Sequence, residues 1–273
     1  MKIGLSTFIT DEGIRPADLG RAAEERGFDS LFIAEHSHIP VREETPYPGG
    51  TELPRIYYRT LDPFVALSAI ASVTEKLLLG TGIALVIQRD TIHTAKEAAS
   101  LDLVSNGRAV LGVGAGWKRE EMRNHGTDPR TRGALLDEQL RAIREIWTKE
   151  QAEFHGKHVN FDPIYAWPKP VQPTLPIYIG GEGEAAQRRV VELGDGWMPS
   201  ASRQPTDLAE TIKSLRDRAG RHIPVTLFGV SDLGVDLDAY EAAGVERVLF
   251  FLPTQPRSES LQTLDTFAAR ITR

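Results

Sequence analysis

The stretch that decides the fold reads LLLGTGIALV at residues 77–86 and RAVLGVGAGW at residues 108–117. Both runs are short, apolar and rich in residues that favour strands, and both are interrupted by glycines. Because a parallel sheet is covered on both faces, its strands read as continuous apolar runs rather than as alternating ones. The two runs are therefore predicted to be buried parallel strands.

The same kind of run recurs along the chain between amphipathic stretches of helical period, a pattern typical of parallel strands joined by crossover helices. The eight predicted strands are Lys2–Ser6, Ser30–Glu35, Leu77–Val86, Arg108–Gly114, Pro176–Gly180, Gly196–Pro199, Pro224–Val230 and Arg247–Leu252. The chain has 273 residues, and a barrel of eight strands and eight helices usually needs about 250. We therefore expect an α/β fold, a single (β/α)8 TIM barrel over residues 1–273, with long loops over its C-terminal mouth.

Helical periodicity is clearest in three segments whose apolar residues recur at i, i+3 or i+4, and i+7. These stripes are Leu136, Leu140, Ile143 and Trp147; Leu208, Ile212, Leu215 and Ala219; and Leu261, Leu264, Ala268 and Ile271. Each stripe is predicted to pack against the outside of the barrel.

The composition limits the class of protein and its partners. The chain is 41% hydrophobic and 26% charged and has a formal net charge of −6. It contains no uninterrupted apolar span for a membrane, and its acidic balance argues against nucleic acid, whose partners present basic faces. The absence of cysteine excludes disulfides, thiolate zinc sites and thiol nucleophiles. The N-terminal sequence reads as a strand rather than a cleavable apolar leader, so we expect a cytoplasmic location. We also expect a small-molecule substrate, with a homodimer as one candidate oligomeric state.

Three connections are longer than a barrel loop needs, which usually marks loops with a function. The first runs from Ser37 to Thr60 and the second from Lys118 to Asp128, after strands two and four. The third follows the helix predicted at 132–148 and includes the Pro-rich run WPKP at 167–170. The first two are expected to cover the pocket, because active sites of this fold lie where the strands end.

The first of these loops is rich in proline, glycine and tyrosine but poor in apolar periodicity. Ordering its backbone costs about 1–2 kcal/mol per residue, which it can offset only partly by burying apolar surface. We therefore expect a mobile lid that brings Tyr47, Tyr57 and Tyr58 over the substrate and excludes water. A rigid surface or an oligomer contact is the alternative.

Glu35 and His36 end the second predicted strand, at the mouth of the barrel. Because side chains alternate along a strand, one of the two is directed inward and the other sideways. His36 is the candidate catalytic group that exchanges a proton, and Glu35 is the candidate that orients it. The alternative is a histidine that only hydrogen-bonds a neighbouring loop.

Glycines also cluster at strand ends. In the third strand, Gly82 indicates a β-bulge or the close approach of a ligand. In the fourth, Gly112, Gly114 and Gly116 leave one face of the strand without side chains, so that a flat ring could lie against the backbone. Tight packing of small residues inside a barrel is the other interpretation, and the spacing is not that of a dinucleotide-binding fingerprint.

The fifth strand ends in Gly180, Gly181, Glu182 and Gly183, just before a predicted helix. Glycines at a helix N-terminus expose backbone N–H groups along the helix dipole, which suits a phosphate. A plain strand-to-helix turn would have the same composition.

Together these segments resemble the luciferase-like monooxygenase superfamily, and especially its branch that uses the deazaflavin coenzyme F420. The resemblance covers nearly the whole chain. The motifs that carry it are LGTGI at 79–83, AKE at 95–97, LDLVSNGR at 101–108, GVGAGW at 112–117, PIYIGG at 176–181 and LGDGW at 193–197.

The resemblance implies a hydride-transferring oxidoreductase with its cofactor at the barrel mouth, coenzyme F420 or alternatively FMN. It implies a non-proline cis peptide between Gly82 and Ile83 and places His36 near the reacting ring position. The residues it assigns to the cofactor are Thr81, Gly82, Ile83, Gly114, Gly116, Trp117, Arg132, Gly180, Gly181, Glu182 and Gly183. Some members use an acidic residue after the strand-four glycines in catalysis; this chain has Trp117 there, so that role is not carried over.

Three other functions stay open at this point. With FMN, the same mouth could oxygenate, which would make the protein a monooxygenase. A metal-dependent hydrolase is suggested by His36 with His38 and by His155 with His158. A closed metal site needs three or four converging ligands, however, and strand eight ends without a carboxylate, so no metal is expected. A non-catalytic flavin binder would keep the pocket without turnover.

Overall fold

The computed structural model describes residues 1–50 and 52–271; Thr51, Thr272 and Arg273 lie outside the described residues. The strands are β1 Lys2–Thr7, β2 Ser30–Ile33, β3 Leu78–Thr81, β4 Ala109–Val113, β5 Ala152–His155, β6 Asn160–Ile164, β7 Ile177–Gly180, β8 Gly196–Met198, β9 Thr226–Val230 and β10 Arg247–Phe251. The α-helices are α1 Pro16–Glu25, α2 Pro63–Ala71, α3 Thr91–Val104, α4 Arg119–Asn124, α5 Arg132–Thr148, α6 Glu184–Glu192, α7 Pro205–Ala219, α8 Leu237–Ala242 and α9 Arg257–Ala268. Short 3₁₀ helices occupy Arg55–Tyr58 and Val86–Gln88.

Within the described residues, eight parallel strands pair side by side in the order β8-β7-β4-β3-β2-β1-β10-β9. The two ends of this sheet meet through the parallel bridges Trp197 to Val225 and Ser200 to Phe228, so the sheet closes on itself. Helices follow the strands and cover the outside. The predicted (β/α)8 barrel is confirmed.

The apolar stripes predicted from helical period face the barrel. In α5 the residues Leu136, Leu140, Ile143 and Trp147 are buried, and in α7 Leu208, Ile212 and Leu215 are buried. In α9 Leu264 is buried and Leu261 packs against the same core while partly exposed. These stripes hold the helices against the sheet because burying apolar area is the main favourable term in folding.

A smaller apolar cluster fills the inside of the barrel. It consists of Phe32, Val110, Tyr178, Met198 and Leu249, which come from five different strands. Ile83 and Phe228 pack on this cluster and are only partly buried. The inside of the barrel is therefore a packed core, and the space for a ligand lies above it, where the strands end.

The third strand is shorter than predicted. It ends at Thr81 rather than Val86, and the chain then passes through the Gly82–Ile83 peptide, which is cis as the resemblance implies. Ala84 forms only an isolated bridge to Val113, and a 3₁₀ helix follows. Residues 84–87 are apolar because they are buried in the core, although they lie outside the sheet.

The third long connection contains an antiparallel hairpin, β5 with β6, that sequence reasoning treated as a loop. Its turn is held by Glu138 of α5, whose carboxylate accepts the backbone N–H groups of Lys157, His158 and Val159. The strands alternate exposed and partly buried residues over few positions, which is too short a pattern to distinguish from a loop.

Candidate active site

His36 follows β2 at the mouth of the barrel and is buried. Its ring packs between two aromatic side chains, with centroid distances of 5.1 Å to Tyr57 and 5.9 Å to Trp117. The Thr60 hydroxyl donates to its backbone carbonyl at 2.5 Å. The backbone and the ring of His36 are thus both held in place.

The carboxylate that holds the His36 ring is that of Glu121, from α4. Glu121 Oε2 lies 2.7 Å from His36 Nδ1, and its side chain is fully buried. Burial raises the pKa of Glu121, but hydrogen bonds from the His36 ring and from the Ser37 N–H outweigh it, so the net shift is downward. An ionised Glu121 fixes the neutral imidazole with its proton on Nδ1, which leaves Nε2 as a proton acceptor.

The expectation that Glu35 orients His36 is wrong. Glu35 Oε2 accepts the Leu85 N–H at 2.6 Å, and Oε1 accepts Arg89 Nε at 2.7 Å. Burial opposes the charge of Arg89, but its ion pairs with Glu35 and Asp62 prevail and raise its pKa. Glu35 therefore fastens the end of β2 to the turn after β3, and it is a positioning residue for that turn.

A cleft of about 720 Å³ opens at the mouth beside this pair. Of the residues assigned to the cofactor by resemblance, those that line it are Gly82, Ile83, Gly114, Gly116, Trp117, Arg132, Gly180, Gly181, Glu182 and Gly183. Thr81 does not, because its buried hydroxyl donates to Gly112 O at 2.7 Å. His36 and Glu35 do not line the cleft either; the His36 ring lies beside Trp117, which does.

Ile83 forms the centre of the cleft floor. A Cβ on Gly114 would lie 2.2 Å from Ile83 Cδ1, and a Cβ on Gly180 would lie 2.8 Å from Ile83 Cγ2. The two glycines therefore make room for this one side chain. Both interpretations of the glycines hold in part, since they pack against Ile83 and also line open space.

One end of the cleft is built to hold an anion. Residues in the first turns of α5 and α6 line it, and neither preceding residue, Thr131 nor Gly183, caps its helix with a side chain. The free backbone N–H groups and the helix dipoles thus favour negative charge there. A Cβ on Gly183 would meet no atom within 4 Å, which leaves open space at the start of α6.

Arg130, Arg132 and Arg189 line this end of the cleft, and Arg132 differs from the other two in its partners. Its Nη1 donates to Pro129 O at 2.5 Å, while its Nε is buried without a partner. Among the described residues, no carboxylate lies within ion-pair distance of Arg132. By contrast, Arg189 is paired with Asp137 at 2.5 Å, and the opposing carboxylate of Glu182 accepts the Ser200 N–H at 3.0 Å. A phosphate would give Arg132 the negatively charged partner that it lacks among the described residues.

The segment after His36, residues 37–60, packs on Trp117 as an aromatic and ionic cover beside the cleft, and none of its described residues lines the cleft itself. Tyr57 lies 5.4 Å from Tyr47 and 6.3 Å from Trp117 between ring centroids, whereas Tyr58 is half exposed. Between Ile33 and the 3₁₀ helix at 55–58, the described residues form no helix or strand. Whether this segment moves as a lid stays a prediction.

Two charged residues after the strand-four glycines hold this cover down. Lys118 is buried and lies 2.6 Å from Glu43, and Glu120 accepts the Thr45 hydroxyl at 2.6 Å and the backbone N–H of Glu44 at 3.0 Å. Burial raises the pKa of Glu120, but these hydrogen bonds outweigh it and lower the value to about 2. The two long loops are therefore tied to each other.

Sequence reasoning missed several residues that the structure brings to the site. Glu121 follows the quoted strand-four motif by four positions, so a carboxylate in the adjoining loop was the available signal. Met198 reaches the cleft from the end of β8 and Phe228 from the middle of β9, and Arg130 adds charge at the anion end. A position at a strand end could have identified Met198.

The histidine pairs that suggested a metal do not assemble a metal site. Within residues 1–50 and 52–271, no three His, Asp or Glu side chains are arranged to hold an ion. His155 instead bonds Asn160 at 2.8 Å on the hairpin. In the same part of the chain, no helix is both long and apolar enough to cross a membrane.

The chain is similar to known proteins over almost its whole length. The luciferase-like monooxygenase family model matches residues 12–270. An uncharacterised protein of Mycobacterium tuberculosis is 38% identical over 280 residues, which cover 99% of each chain. The F420-dependent glucose-6-phosphate dehydrogenase of Nakamurella multipartita is 33% identical over 214 residues, which cover 76% of this chain and 59% of that protein.

Among solved structures, a monooxygenase from Streptomyces bottropensis, RslO1, has the same fold. It matches with a TM-score of 0.79 at 20% identity, over 100% of this chain and 99% of that one. At this identity the similarity concerns the fold alone.

Proposed function

Because the chain belongs to the luciferase-like monooxygenase family, we propose that it binds coenzyme F420 in the mouth cleft and transfers a hydride between the deazaflavin and a small organic substrate. The name of the Nakamurella relative supports F420 rather than FMN as the cofactor. A homodimer and a cytoplasmic location stay predictions.

The observation that carries this proposal is the anion end of the cleft. Arg132 has a buried Nε without a partner, and two uncapped helix N-termini line the same end. A phosphate-bearing cofactor fits these groups, because it would accept hydrogen bonds that the described residues leave unmade. Arg132, Gly181 and Gly183 would hold its phosphate.

The other end of the cleft suits a flat ring. Gly114 and Gly116 present bare backbone, Ile83 lies between the glycines, and Trp117 lies on the side next to His36. When bound, the deazaflavin supplies the hydride donor or acceptor. The chain itself would exclude water with Tyr47, Tyr57 and Trp117.

His36 would handle the proton that accompanies the hydride. With Nδ1–H donated to Glu121, the neutral ring offers Nε2 to a substrate hydroxyl or, when protonated there, donates to a developing oxyanion. The pair therefore serves either direction of transfer. Glu121 stabilises the positive charge that the ring gains on protonation.

The direct test is to titrate the purified protein with F420 and with FMN and compare the affinities by fluorescence. We expect F420 to bind at least tenfold more tightly, a difference of about 1.4 kcal/mol. Tighter binding of FMN, with oxygen consumed on reduction, would support the monooxygenase instead. If neither cofactor binds, the proposal is wrong.

A further inference from the structure

Ser37 joins the buried His36–Glu121 pair to two histidines at the surface. Its backbone N–H donates to Glu121 Oε1 at 3.0 Å, and its hydroxyl oxygen lies 3.4 Å from the same atom. The hydroxyl also lies 2.6 Å from His125 Nε2 and 2.9 Å from His38 Nδ1. One hydroxyl therefore contacts three groups that can gain or lose a proton.

The hydrogen bonds determine where the protons of this network lie. Asn124 Nδ2 donates to His38 Nε2 at 2.8 Å, so neutral His38 carries its proton on Nδ1 and donates to Ser37 Oγ. The single hydroxyl proton of Ser37 then goes to the shorter contact, His125 Nε2. In this arrangement His125 is neutral, and the backbone N–H is the one group of Ser37 that donates to Glu121 Oε1.

A cavity of about 310 Å³ lies behind His36, and none of its described lining residues lines the cofactor cleft. Its walls are polar except for Pro63, and they include His36, Ser37 and His125. A polar cavity of this size is large enough for several waters. It adjoins His36 apart from the cofactor cleft.

We propose that Ser37, His38 and His125 are positioning residues for His36, and that the Ser37 hydroxyl transmits the protonation state of His125 to Glu121. When His125 gains a proton at Nε2, that N–H donates to Ser37 Oγ, and the hydroxyl proton turns to Glu121 Oε1. An additional donor draws negative charge from the carboxylate, so Glu121 holds the His36 Nδ1–H less strongly.

Charged and titratable groups from several elements lie near His125, which is itself exposed. Those that face it are His38, Glu35 and His36 from the end of β2 and the segment after it, Asp62 before α2, Arg89 and Asp90 before α3, Glu121 from α4 and His158 from the hairpin. Partial burial and the nearby His38 lower the pKa of His125, against the opposing effect of Glu121 and Glu35. Among the described residues, the Ser37 hydroxyl is the one side-chain hydrogen-bonded link between the His125 ring and the Glu121 carboxylate, although the His125 backbone N–H also lies 3.4 Å from Glu121 O.

The role of His36 in this inference rests on the proposed function, but the hydrogen-bonded coupling does not. It can be tested in the cofactor-free protein by ¹⁵N NMR of the histidine rings as a function of pH. We expect His38 to carry its proton on Nδ1. We also expect the Nδ1 resonance of His36 to shift at the pH where His125 titrates. This second shift is distinct from the one that accompanies protonation of the His36 ring itself.

Ser37→Ala should abolish that second shift, and Ser37→Thr, which keeps the hydroxyl, should retain it. His125→Gln should abolish it as well, whereas His222→Gln, which removes a surface histidine paired with Glu246, should leave it unchanged. If the shift persists in Ser37→Ala, or is absent from the wild type, the coupling is wrong. Because no cofactor is used, that result is independent of the F420 and FMN titration.

Discussion

The Nδ1 of His36 lies 2.7 Å from Oε2 of Glu121, a residue 85 positions away on a different loop of the barrel mouth. Both side chains are buried, so their interaction is weakly screened by solvent. Removing either partner leaves the other without its hydrogen bond in a poorly solvated place, which is costly. The pair therefore has consequences for both proton transfer and stability.

Glu121→Gln should lower turnover while cofactor affinity stays close to the wild-type value. The amide keeps the shape but removes the charge that stabilises a protonated His36, so we expect kcat to fall by about tenfold or more. The matched control is Glu138→Gln, since that carboxylate binds the turn of the β5–β6 hairpin and not His36. Equal losses of turnover in the two variants would contradict the assignment.

His36→Ala should have a larger effect on the same step. A group that exchanges a proton in the transition state typically contributes about 10²-fold to 10⁴-fold, so kcat should fall within that range with little change in cofactor Kd. His158→Ala on the hairpin is the comparison variant. Wild-type turnover in His36→Ala would mean that His36 is structural.

Arg132→Gln should weaken the binding of phosphate-bearing cofactors. A hydrogen bond to a charged group is worth about 1.5–3 kcal/mol, so the Kd for F420 or FMN should rise by roughly tenfold or more. Riboflavin, which has the ring but no phosphate, should bind both proteins equally. Arg141→Gln changes an exposed arginine of the same helix and should have no effect. An equal loss for riboflavin would show that Arg132 shapes the ring end instead.

Two glycines of β4 and the turn after it should respond differently to alanine. A Cβ on Gly112 would lie 2.0 Å from the backbone oxygen of Thr81, which cannot move freely, so Gly112→Ala should lower the free energy of unfolding by about 3 kcal/mol. A Cβ on Gly114 meets the flexible end of Ile83. Gly114→Ala should therefore cost less stability but push Ile83 into the cleft and weaken cofactor binding.

Denaturant unfolding and cofactor titration separate these two effects. Ile83→Val combined with Gly114→Ala removes the clashing Cδ1 and should recover part of the affinity. Equal destabilisation by the two glycine substitutions would show that Ile83 is not free to shift.

Acid should release the cover that packs on Trp117. The pKa of Glu120 is about 2 instead of 4.5, so its hold on Thr45 and Glu44 is complete above about pH 4.5 and is lost as the pH falls toward 2. Hydrogen exchange of residues 43–45 should increase over that range relative to the strands. Glu120→Gln should show the faster exchange already at neutral pH. Unchanged exchange in that variant would place the hold elsewhere, for example on the Lys118–Glu43 pair.

Much of the framework follows from local patterns in the sequence. The predicted and observed strand positions in the barrel agree within a few residues, because two-sided burial imposes continuous apolar runs. Helices α5 and α7 were predicted because their apolar residues recur with the helical period, which differs from the two-residue period of a strand. The Gly82–Ile83 cis peptide was expected from the family resemblance. The hairpin at 152–164 was missed because its short strands depend on Glu138, which lies outside the segment.

By itself, the sequence determined the barrel, the glycine-lined mouth and the presence of His36 at a strand end, because each depends on residues that are near one another in the chain. Only the tertiary structure decided which carboxylate serves His36. Glu35 is adjacent in sequence, but its carboxylate binds the Leu85 N–H and Arg89, whereas Glu121 reaches the ring from α4, in the connection after β4. The unpaired Nε of Arg132 is likewise a property of the packed molecule, since whether a cation has a partner depends on which distant carboxylates folding brings within reach.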